Sequence, residues 1–303
     1  MYVVIGATGN TGAVVANELL TRGQRVRVIG RTAGRLQALA KLGAEPLVAD
    51  ITDARALSRA FAGANAAYVM VPPDVRSDDV IAHSDRVSEA LASAIAEARV
   101  KHTVALSSIG ADKTERTGSV AALTHLEQKL NQVADLNLIC LRAGYFMENT
   151  LAQLNVIHML AKTGGPLRAD LKLPMTATRD IGAFAANALL KLDFSGKQTH
   201  ELLGQRDLDM DEATAIIGKA IGKPDLQYVQ LAPEHVRRGL LQMGMSGNMA
   251  DLLLEMSDSL NSGFMRALEK RSPKNTTSTS FEAFVAETFM PLYRGKFQAT
   301  RGS

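Results

Sequence analysis

The sequence predicts an α/β fold built on a doubly wound parallel sheet, with a smaller and mostly helical C-terminal region. Two observations lead to this prediction. Short continuous apolar runs alternate with stretches of helical spacing through the first half of the 303-residue chain. The runs are uninterrupted, which is typical of parallel strands that helices cover on both faces. Right-handed crossovers between such strands make the sheet doubly wound, and ligands then bind at the carboxyl ends of the strands.

The individual elements follow in order along the chain. Predicted strands lie in YVVIG, RVRVIGR, EPLVAD, AAYVMVPP, HTVALSSIG and NLICLRAG. Predicted helices between them cover Gly12 to Leu20, AGRLQALAKLG, ARALSRAFAG and roughly Asp78 to Arg99. The second of these helices ends at a glycine, which is a common helix stop.

The pattern changes after Asn149. A helix through Leu160, a Gly-Gly-Pro turn, the helix DIGAFAANALLKL and the short strand HELLG come next, and from Asp209 the chain is rich in helices and loops. We therefore expect residues 1–150 to form a nucleotide-binding domain. Residues 151–303 are expected to form a smaller substrate-binding or partner-binding region, interwoven with the sheet.

Composition excludes several classes of function. Lys and Arg number 34 against 31 for Asp and Glu, and no dense basic run offers a track for nucleic acid. No apolar run approaches the roughly 20 residues that span a bilayer, and no signal peptide is evident. The single cysteine, Cys140, is expected to be a buried apolar residue. The sequence thus predicts a cytoplasmic protein without membrane or nucleic-acid partners, and shows no metal-ligand spacing.

The turn GATGNTG follows the first strand and opens the first helix, which is the arrangement of a Rossmann dinucleotide site. Gly6 permits the tight turn, Gly9 lets a pyrophosphate approach the backbone, and Gly12 allows close helix packing. The helix N-terminus directs N–H groups at the phosphates. The expected contacts are Gly6, Thr8, Gly9, Asn10, Thr11 and Gly12. The alternative is a plain turn without a ligand.

The end of the second strand predicts which cofactor binds. Arg31 lies there, 19 residues after Gly12, where NAD-binding proteins usually carry an acid. A guanidinium grips a 2′-phosphate that a carboxylate would repel. Arg31 therefore predicts NADP(H), with Thr32 and Arg35 as helpers, unless Arg31 is an ordinary surface residue. Asp50 and Ile51, which end the third strand, are expected to border the adenine.

These motifs, together with AAYVMVPP, VALSSIGAD and LRAGYFMEN, resemble the NmrA-like group of atypical short-chain dehydrogenases/reductases. The resemblance is strongest to bacterial NADPH-dependent quinone reductases. It implies a Rossmann fold and NADP(H) binding, and the family also contains non-catalytic redox sensors that regulate transcription factors. Further implied cofactor contacts are Val71, Pro72, Ser107, Ser108, Lys129, Gly144, Tyr145 and Phe146.

The catalytic residues depart from the dehydrogenase pattern. Short-chain dehydrogenases carry Tyr-x-x-x-Lys on one helix, whereas this chain has His125 and Lys129 at that spacing. Lys129, His125 and Tyr145 are the candidate catalytic residues, because a quinone needs mainly a positive charge or a donor at its oxygen. The alternative for His125 is a helix-face histidine with a structural partner, and for Tyr145 and Phe146 it is apolar packing beneath the nicotinamide.

A methionine-bearing segment near the C-terminus contains Met243, Met245, Met249 and Met256. Thioethers suit a cavity for varied flat ligands, and core packing explains the same pattern. Glycines beside it suggest a mobile cover.

The sequence thus favours a reductase that transfers hydride from NADPH to a small-molecule acceptor, a quinone, and it allows a homodimer. The alternative is a non-catalytic NADP(H) sensor. An epimerase is disfavoured because the Tyr-x-x-x-Lys pair is absent.

Overall fold

The structure is a computed structural model that describes residues 1–299. The strands are β1 (Tyr2–Ile5), β2 (Val26–Gly30), β3 (Glu45–Val48), β4 (Ala66–Val69), β5 (His102–Ser108), β6 (Asn137–Ala143), β7 (Tyr145–Phe146), β8 (Thr163–Gly165), β9 (Leu173–Thr176), β10 (Lys197–Leu202), β11 (Asp207–Leu208) and β12 (Tyr228–Gln230). The helices are α1 (Asn10–Thr21), α2 (Ala33–Lys41), α3 (Ala54–Phe61), α4 (Val80–Glu97), α5 (Ala121–Asn131), α6 (Gln153–Leu160), α7 (Thr178–Lys191), α8 (Met210–Ala220), α9 (Pro233–Gln242), α10 (Gly247–Asn261), α11 (Phe281–Phe284) and α12 (Met290–Ala299).

The central sheet has seven strands in the order β10-β6-β5-β4-β1-β2-β3, and all neighbours run parallel. The predicted doubly wound sheet is confirmed. Because the chain leaves β1 towards β2 on one side and reaches β4 on the other, the strand order reverses beside β1. A crevice opens at such a reversal, and ligands bind there at the carboxyl ends of the strands.

Two apolar layers hold the helices against the two faces of this sheet. On one face, Val3 and Val69 pack with Leu57 of α3 and Leu91 of α4. On the other face, the alternate sheet residues pack with α1, α2 and α7, for example Val4 with Leu19, Leu36 and Ile181. Alternate side chains along a strand point to opposite faces, so strands buried on both faces are apolar at every position. Cys140 lies in the first layer and is 1% exposed, as expected.

Capping side chains determine where the helices that follow β3 and β4 begin. The Asp53 carboxylate accepts hydrogen bonds from the N–H groups of Arg55 and Ala56 and starts α3. Asp79 does the same for α4 through Ala82. Asp side chains at this position satisfy N–H groups that have no helical partner. The loops after β3 and β4 therefore have defined ends, which positions their residues at the crevice.

The second half of the chain contributes to the central sheet and also builds a separate small core. β10 pairs with β6 at one edge of the sheet, and α7 packs against α1. The small core contains β9, α8 and α11, around Met175, Ile217 and Phe281. The predicted Gly-Gly-Pro turn is partly wrong, because Gly164 and Gly165 belong to β8, which pairs with β12. The proposed division at residue 150 stays a prediction, and its last residues, 300–303, lie outside the described residues.

Candidate functional site

The glycine turn between β1 and α1 is tightly closed. The Gly9 N–H donates to the Gly6 carbonyl at 2.8 Å, and Gly6 has a φ of +69°, which favours glycine. A Cβ at Gly6 would lie 2.6 Å from the Met70 sulfur, and one at Gly12 would lie 2.3 Å from the Gly6 carbonyl oxygen. A side chain at Gly12 would therefore clash with the backbone, and one at Gly6 would be strained by the positive φ and would displace Met70. The backbone of the turn is accessible on its outer side, as the binding of a diphosphate requires.

The other turn residues divide into an outer and an inner group. Thr8, Gly9 and Asn10 are exposed at the mouth of the turn. Thr11 is buried, and its hydroxyl oxygen accepts a hydrogen bond from the Tyr68 phenol at 2.8 Å. Thr11 can offer a phosphate its backbone N–H, in the first turn of α1, where helical partners are missing. No local sequence motif indicates this link, because Tyr68 lies 57 residues from Thr11.

A cavity of about 500 Å³ lies at the ends of β2 and β3. It is lined by Arg31, Asp50, Ile51 and Pro72, which are four of the predicted cofactor residues. The backbone N–H and hydroxyl of Thr52 both bond to Asp50 and hold the pKa of its carboxyl below the usual range. Arg31 acts in the same direction. This cavity, called the nucleotide cavity below, thus presents a carboxylate and a guanidinium to a ligand.

The sequence argument missed two residues of α4 that line the nucleotide cavity. His83 and Arg86 reach it from α4, and His83 also helps to lower the pKa of Asp50. Their positions depend on how α4 packs, which the motif of β2 and β3 does not reveal. The predicted helper Arg35 is not among the lining residues and is exposed on α2.

A larger cavity of about 680 Å³ continues along the same edge of the sheet. It is called the acceptor cavity below. The structure brings six predicted residues together in its lining: Val71, Ser107, Ser108, Gly144, Tyr145 and Phe146. The remaining wall is largely apolar, from residues such as Leu106, Val120, Met249, Met256 and Met265. Pro73 lines both cavities, so they meet at the loop after β4.

Helix α10 closes one side of the acceptor cavity. The Ser246 N–H donates to the Val75 carbonyl at 2.8 Å, and the Asn248 side chain accepts from the Val80 N–H at 2.9 Å. Of the predicted methionines, Met249 and Met256 line the cavity, whereas Met243 is 65% exposed. The methionine segment therefore contributes one wall of the cavity.

Tyr145 supplies a phenol to the acceptor cavity. Burial raises its pKa to about 12, and a hydrogen bond with the Asn149 side chain acts weakly in the opposite direction. Both residues belong to the predicted strand-exit loop, and both line the cavity. Because the pKa is raised, the phenol keeps its proton throughout the neutral range. It can therefore donate a hydrogen bond or a proton to an oxygen in the cavity.

Beneath Ser107 lies a buried ion pair that the sequence argument missed. The Glu127 carboxylate accepts from the Ser107 hydroxyl at 2.5 Å and from Arg142 Nε and Nη2 at 2.9 and 2.6 Å. Glu127 is 6% exposed, and its hydrogen bond raises the pKa of the Arg142 guanidinium. Arg142 interrupts the apolar run of β6, which is the signal that could have indicated a buried partner. The Ser107 proton points into the protein, so this hydroxyl faces the cavity as an acceptor.

His125 and Lys129 lie on a different face of α5. His125 Nδ1 is 2.6 Å from Asp85 Oδ1, and Lys129 Nζ is 2.5 Å from Glu89 Oε2. Both acids belong to α4, and neither His125 nor Lys129 lines either cavity. The spacing of four does place the two side chains on one helical face. That face meets α4, so their proposed catalytic role has no support from this geometry.

Residues 1–299 contain neither a metal-binding cluster nor a membrane-spanning helix. No group of three or more His, Cys, Asp or Glu side chains is arranged to hold a metal ion. None of the described helices is long and apolar enough to cross a membrane.

Three features define a dinucleotide-binding protein of the Rossmann class. They are the doubly wound sheet, the glycine turn closed against β1 and the charged cavity at the ends of β2 and β3. The chain belongs to the NmrA-like family, whose profile matches residues 2–284. The predicted family is confirmed.

Three known proteins illustrate the similarity. The NmrA-like family domain-containing oxidoreductase ptmS of Penicillium ochrochloron is 34% identical over 170 residues, which are 50% of this chain and 48% of that protein. The matching part thus spans about half of that relative. The NADPH-dependent quinone oxidoreductase QOR2 of Escherichia coli, complexed with NADPH, superposes with a TM-score of 0.80 at 24% identity, covering 95% of this chain and 100% of that one. Triphenylmethane reductase of Citrobacter sp., complexed with NADP(H), gives 0.77 at 18% identity, covering 95% and 99%. Both structures hold the cofactor that the sequence predicts here.

Proposed function

We propose that this protein is an NADPH-dependent reductase and that its acceptor is a quinone. The observation that carries the proposal is the acceptor cavity itself. Its walls are apolar, it adjoins the nucleotide cavity at Pro73, and a protonated phenol lines it. A cavity of this kind holds a flat ring against a nicotinamide and excludes water, as hydride transfer requires.

The residues present fit an NADP(H) cofactor. The exposed backbone from Thr8 to Asn10 and the N-terminus of α1 would hold the diphosphate. Arg31 would bind the 2′-phosphate, and Asp50 and Ile51 would border the adenine. When bound, NADPH supplies the hydride.

Tyr145 would act on the acceptor oxygen. Reduction of a quinone places negative charge on that oxygen, and a phenol with a raised pKa still carries the proton needed there. Phe146 and the methionines pack against the ring and keep water out. Ser107 donates its proton to Glu127, so its oxygen would accept a hydrogen bond from a donor group of the bound cofactor or quinone and orient that group.

NADPH oxidation with a panel of quinones tests the proposal. The wild-type protein should turn over at least one quinone, and Tyr145→Phe should lower kcat about tenfold while leaving NADPH binding unchanged. Asn149→Ala, which removes a hydrogen-bond partner of the phenol but leaves the phenol in place, should lower kcat less than Tyr145→Phe does. The wild-type kcat should also show no decline from Tyr145 ionisation up to about pH 10, since a raised pKa keeps the donor protonated there and removes it only as the pH approaches about 12.

A second candidate is a non-catalytic NADP(H) sensor. It is favoured by the position of His125 and Lys129, which contact α4 and not a cavity. Absence of turnover with every quinone, together with different affinities for NADP+ and NADPH, would favour the sensor. Equal affinities without turnover would contradict both candidates.

A further inference from the structure

Three cationic side chains line the acceptor cavity, and two of them have anionic partners. Lys172 Nζ is 2.9 Å from Asp209 Oδ2 and 2.5 Å from Glu212 Oε2. Arg271 donates to Asp207 and to two backbone carbonyls. The charges of Lys172 and Arg271 are therefore already neutralised within the protein. The third cation, Arg266, differs from both.

Arg266 has a fixed backbone and a free side chain. The preceding residue, Met265, is 3% exposed, and its N–H donates to the Ser259 carbonyl at 3.0 Å. Just beyond, the N–H groups of Leu268 and Glu269 both donate to the buried Glu201 carboxylate, at 2.9 and 2.8 Å. The Arg266 guanidinium is exposed, and within residues 1–299 it makes no hydrogen bond or ion pair.

Of the two acids that line the same cavity, neither forms an ion pair with Arg266, although Glu269 keeps its negative charge. Asp207 is bound to Arg271, and the Glu269 carboxylate accepts from the Asn275 amide at 3.1 Å. Next to Arg266, Phe264 packs beneath two further cations: Lys113 Nζ lies 5.7 Å from the ring centroid and Arg116 Cζ lies 5.0 Å from it. This side of the cavity therefore holds an unpaired guanidinium next to an apolar wall. A guanidinium binds carboxylate or sulfonate oxygens through two parallel N–H donors.

We propose that the acceptor is a flat apolar ring that carries an acidic substituent, and that Arg266 binds this substituent. The inference rests on the proposed function and specifies its substrate class. The ring lies among the methionines of the cavity, and its carboxylate or sulfonate lies at the Arg266 wall. Arg266 is then a specificity-determining residue, and it takes no part in hydride transfer.

Steady-state kinetics with a matched pair of acceptors test the proposal. The pair is 2-methyl-1,4-naphthoquinone, which is neutral, and 1,4-naphthoquinone-2-sulfonate. Arg266→Ala should lower kcat/KM for the sulfonate about five- to tenfold relative to wild type, and should leave the value for the neutral quinone unchanged. Arg266→Lys should retain part of the preference, and Arg266→Glu should lose more than Arg266→Ala. Added salt should raise KM for the sulfonate only. Arg238→Ala, which removes an exposed arginine from α9 outside the cavity, is the control.

A binding assay separates failure of this inference from failure of the proposed function. Naphthalene-2-sulfonate, which cannot be reduced, should bind the NADP+-loaded wild type more tightly than 2-methylnaphthalene does, and Arg266→Ala should remove that difference. If neutral quinones are reduced but Arg266→Ala affects both acceptors equally, the inference is overturned and the reductase stands. If no quinone is reduced, the reductase is overturned, while loss of sulfonate binding in Arg266→Ala would still support an anion site at this wall.

Discussion

The nucleotide cavity and the acceptor cavity share one edge of the sheet but are built in different ways. Residues that directly follow β2, β3 and β4, together with two from α4, line the nucleotide cavity. The acceptor cavity draws its wall from strand ends and also from α10 and the segment around Met265, more than 100 residues further along the chain. The first cavity is thus defined by local loops, whereas the second depends on how distant segments pack. Changes in the first should act on cofactor binding, and changes in the second on the acceptor.

The largest effect is expected from a side chain in the glycine turn between β1 and α1. In Gly12→Val, the added side chain would meet the Gly6 carbonyl, 2.3 Å from the new Cβ, and α1 would have to move off β1. We expect a stability loss of about 3 kcal/mol or more and no measurable NADPH binding. Calorimetry and fluorescence titration measure both. Gly34→Val, whose Cβ meets nothing within 4 Å, is the matched control and should behave like wild type. Wild-type NADPH affinity in Gly12→Val would contradict binding of the diphosphate at this turn.

The second-largest effect is expected from a change at Glu127, beneath the acceptor cavity. Glu127→Gln removes the charge that pairs with Arg142 and leaves a buried guanidinium without its partner. Breaking such a pair costs about 3–5 kcal/mol, although part is recovered because the amide still accepts one hydrogen bond. We expect a lower unfolding midpoint in urea and a higher KM for the acceptor. Glu89→Gln makes the same change in the exposed pair with Lys129 and should cost less than about 1 kcal/mol. Equal losses in the two variants would contradict the buried role of Glu127.

A smaller and more selective effect is expected at Arg31. Arg31→Asp should weaken NADPH binding by about 1.5–3 kcal/mol and leave NADH binding nearly unchanged, because only NADPH carries the 2′-phosphate. Titration with both cofactors measures the difference. Arg35→Asp tests the predicted helper, and its exposed position on α2 leads us to expect a weaker effect. Equal losses of NADPH and NADH binding in Arg31→Asp would remove Arg31 from its proposed role.

The smallest effect is expected at Lys129, outside both cavities. Because Lys129 Nζ contacts Glu89 on α4, Lys129→Ala should change kcat/KM less than about twofold. A loss of tenfold or more would instead support the catalytic contact that the His-x-x-x-Lys spacing predicts. Kinetics with NADPH and one active quinone decide between these outcomes.

The sequence revealed the sheet and the nucleotide cavity because their signals are local. Uninterrupted apolar runs and the GATGNTG turn depend only on neighbouring residues, and Arg31 follows directly from the end of β2. The orientation of α5 was not predictable in this way. A spacing of four residues puts His125 and Lys129 on one face of α5. That face meets α4, where Asp85 and Glu89 have the same spacing and pair with these two side chains. Glu127 is likewise explained only by its contacts with Ser107 and Arg142, and Arg266 by its place in a cavity lined by residues far away in sequence.

The position of β10 at the edge of the sheet has a consequence for synthesis on the ribosome. β6 ends at Ala143, but its partner β10 begins only at Lys197, and the two strands share a six-residue register. Until residue 202 has left the exit tunnel, the nascent chain presents the outer edge of β6 unpaired and with apolar side chains. An unpaired apolar edge is a template for association with other chains. The N-terminal half therefore remains vulnerable to aggregation until the second half emerges, and slow translation between residues 143 and 202 should lower the yield of folded protein.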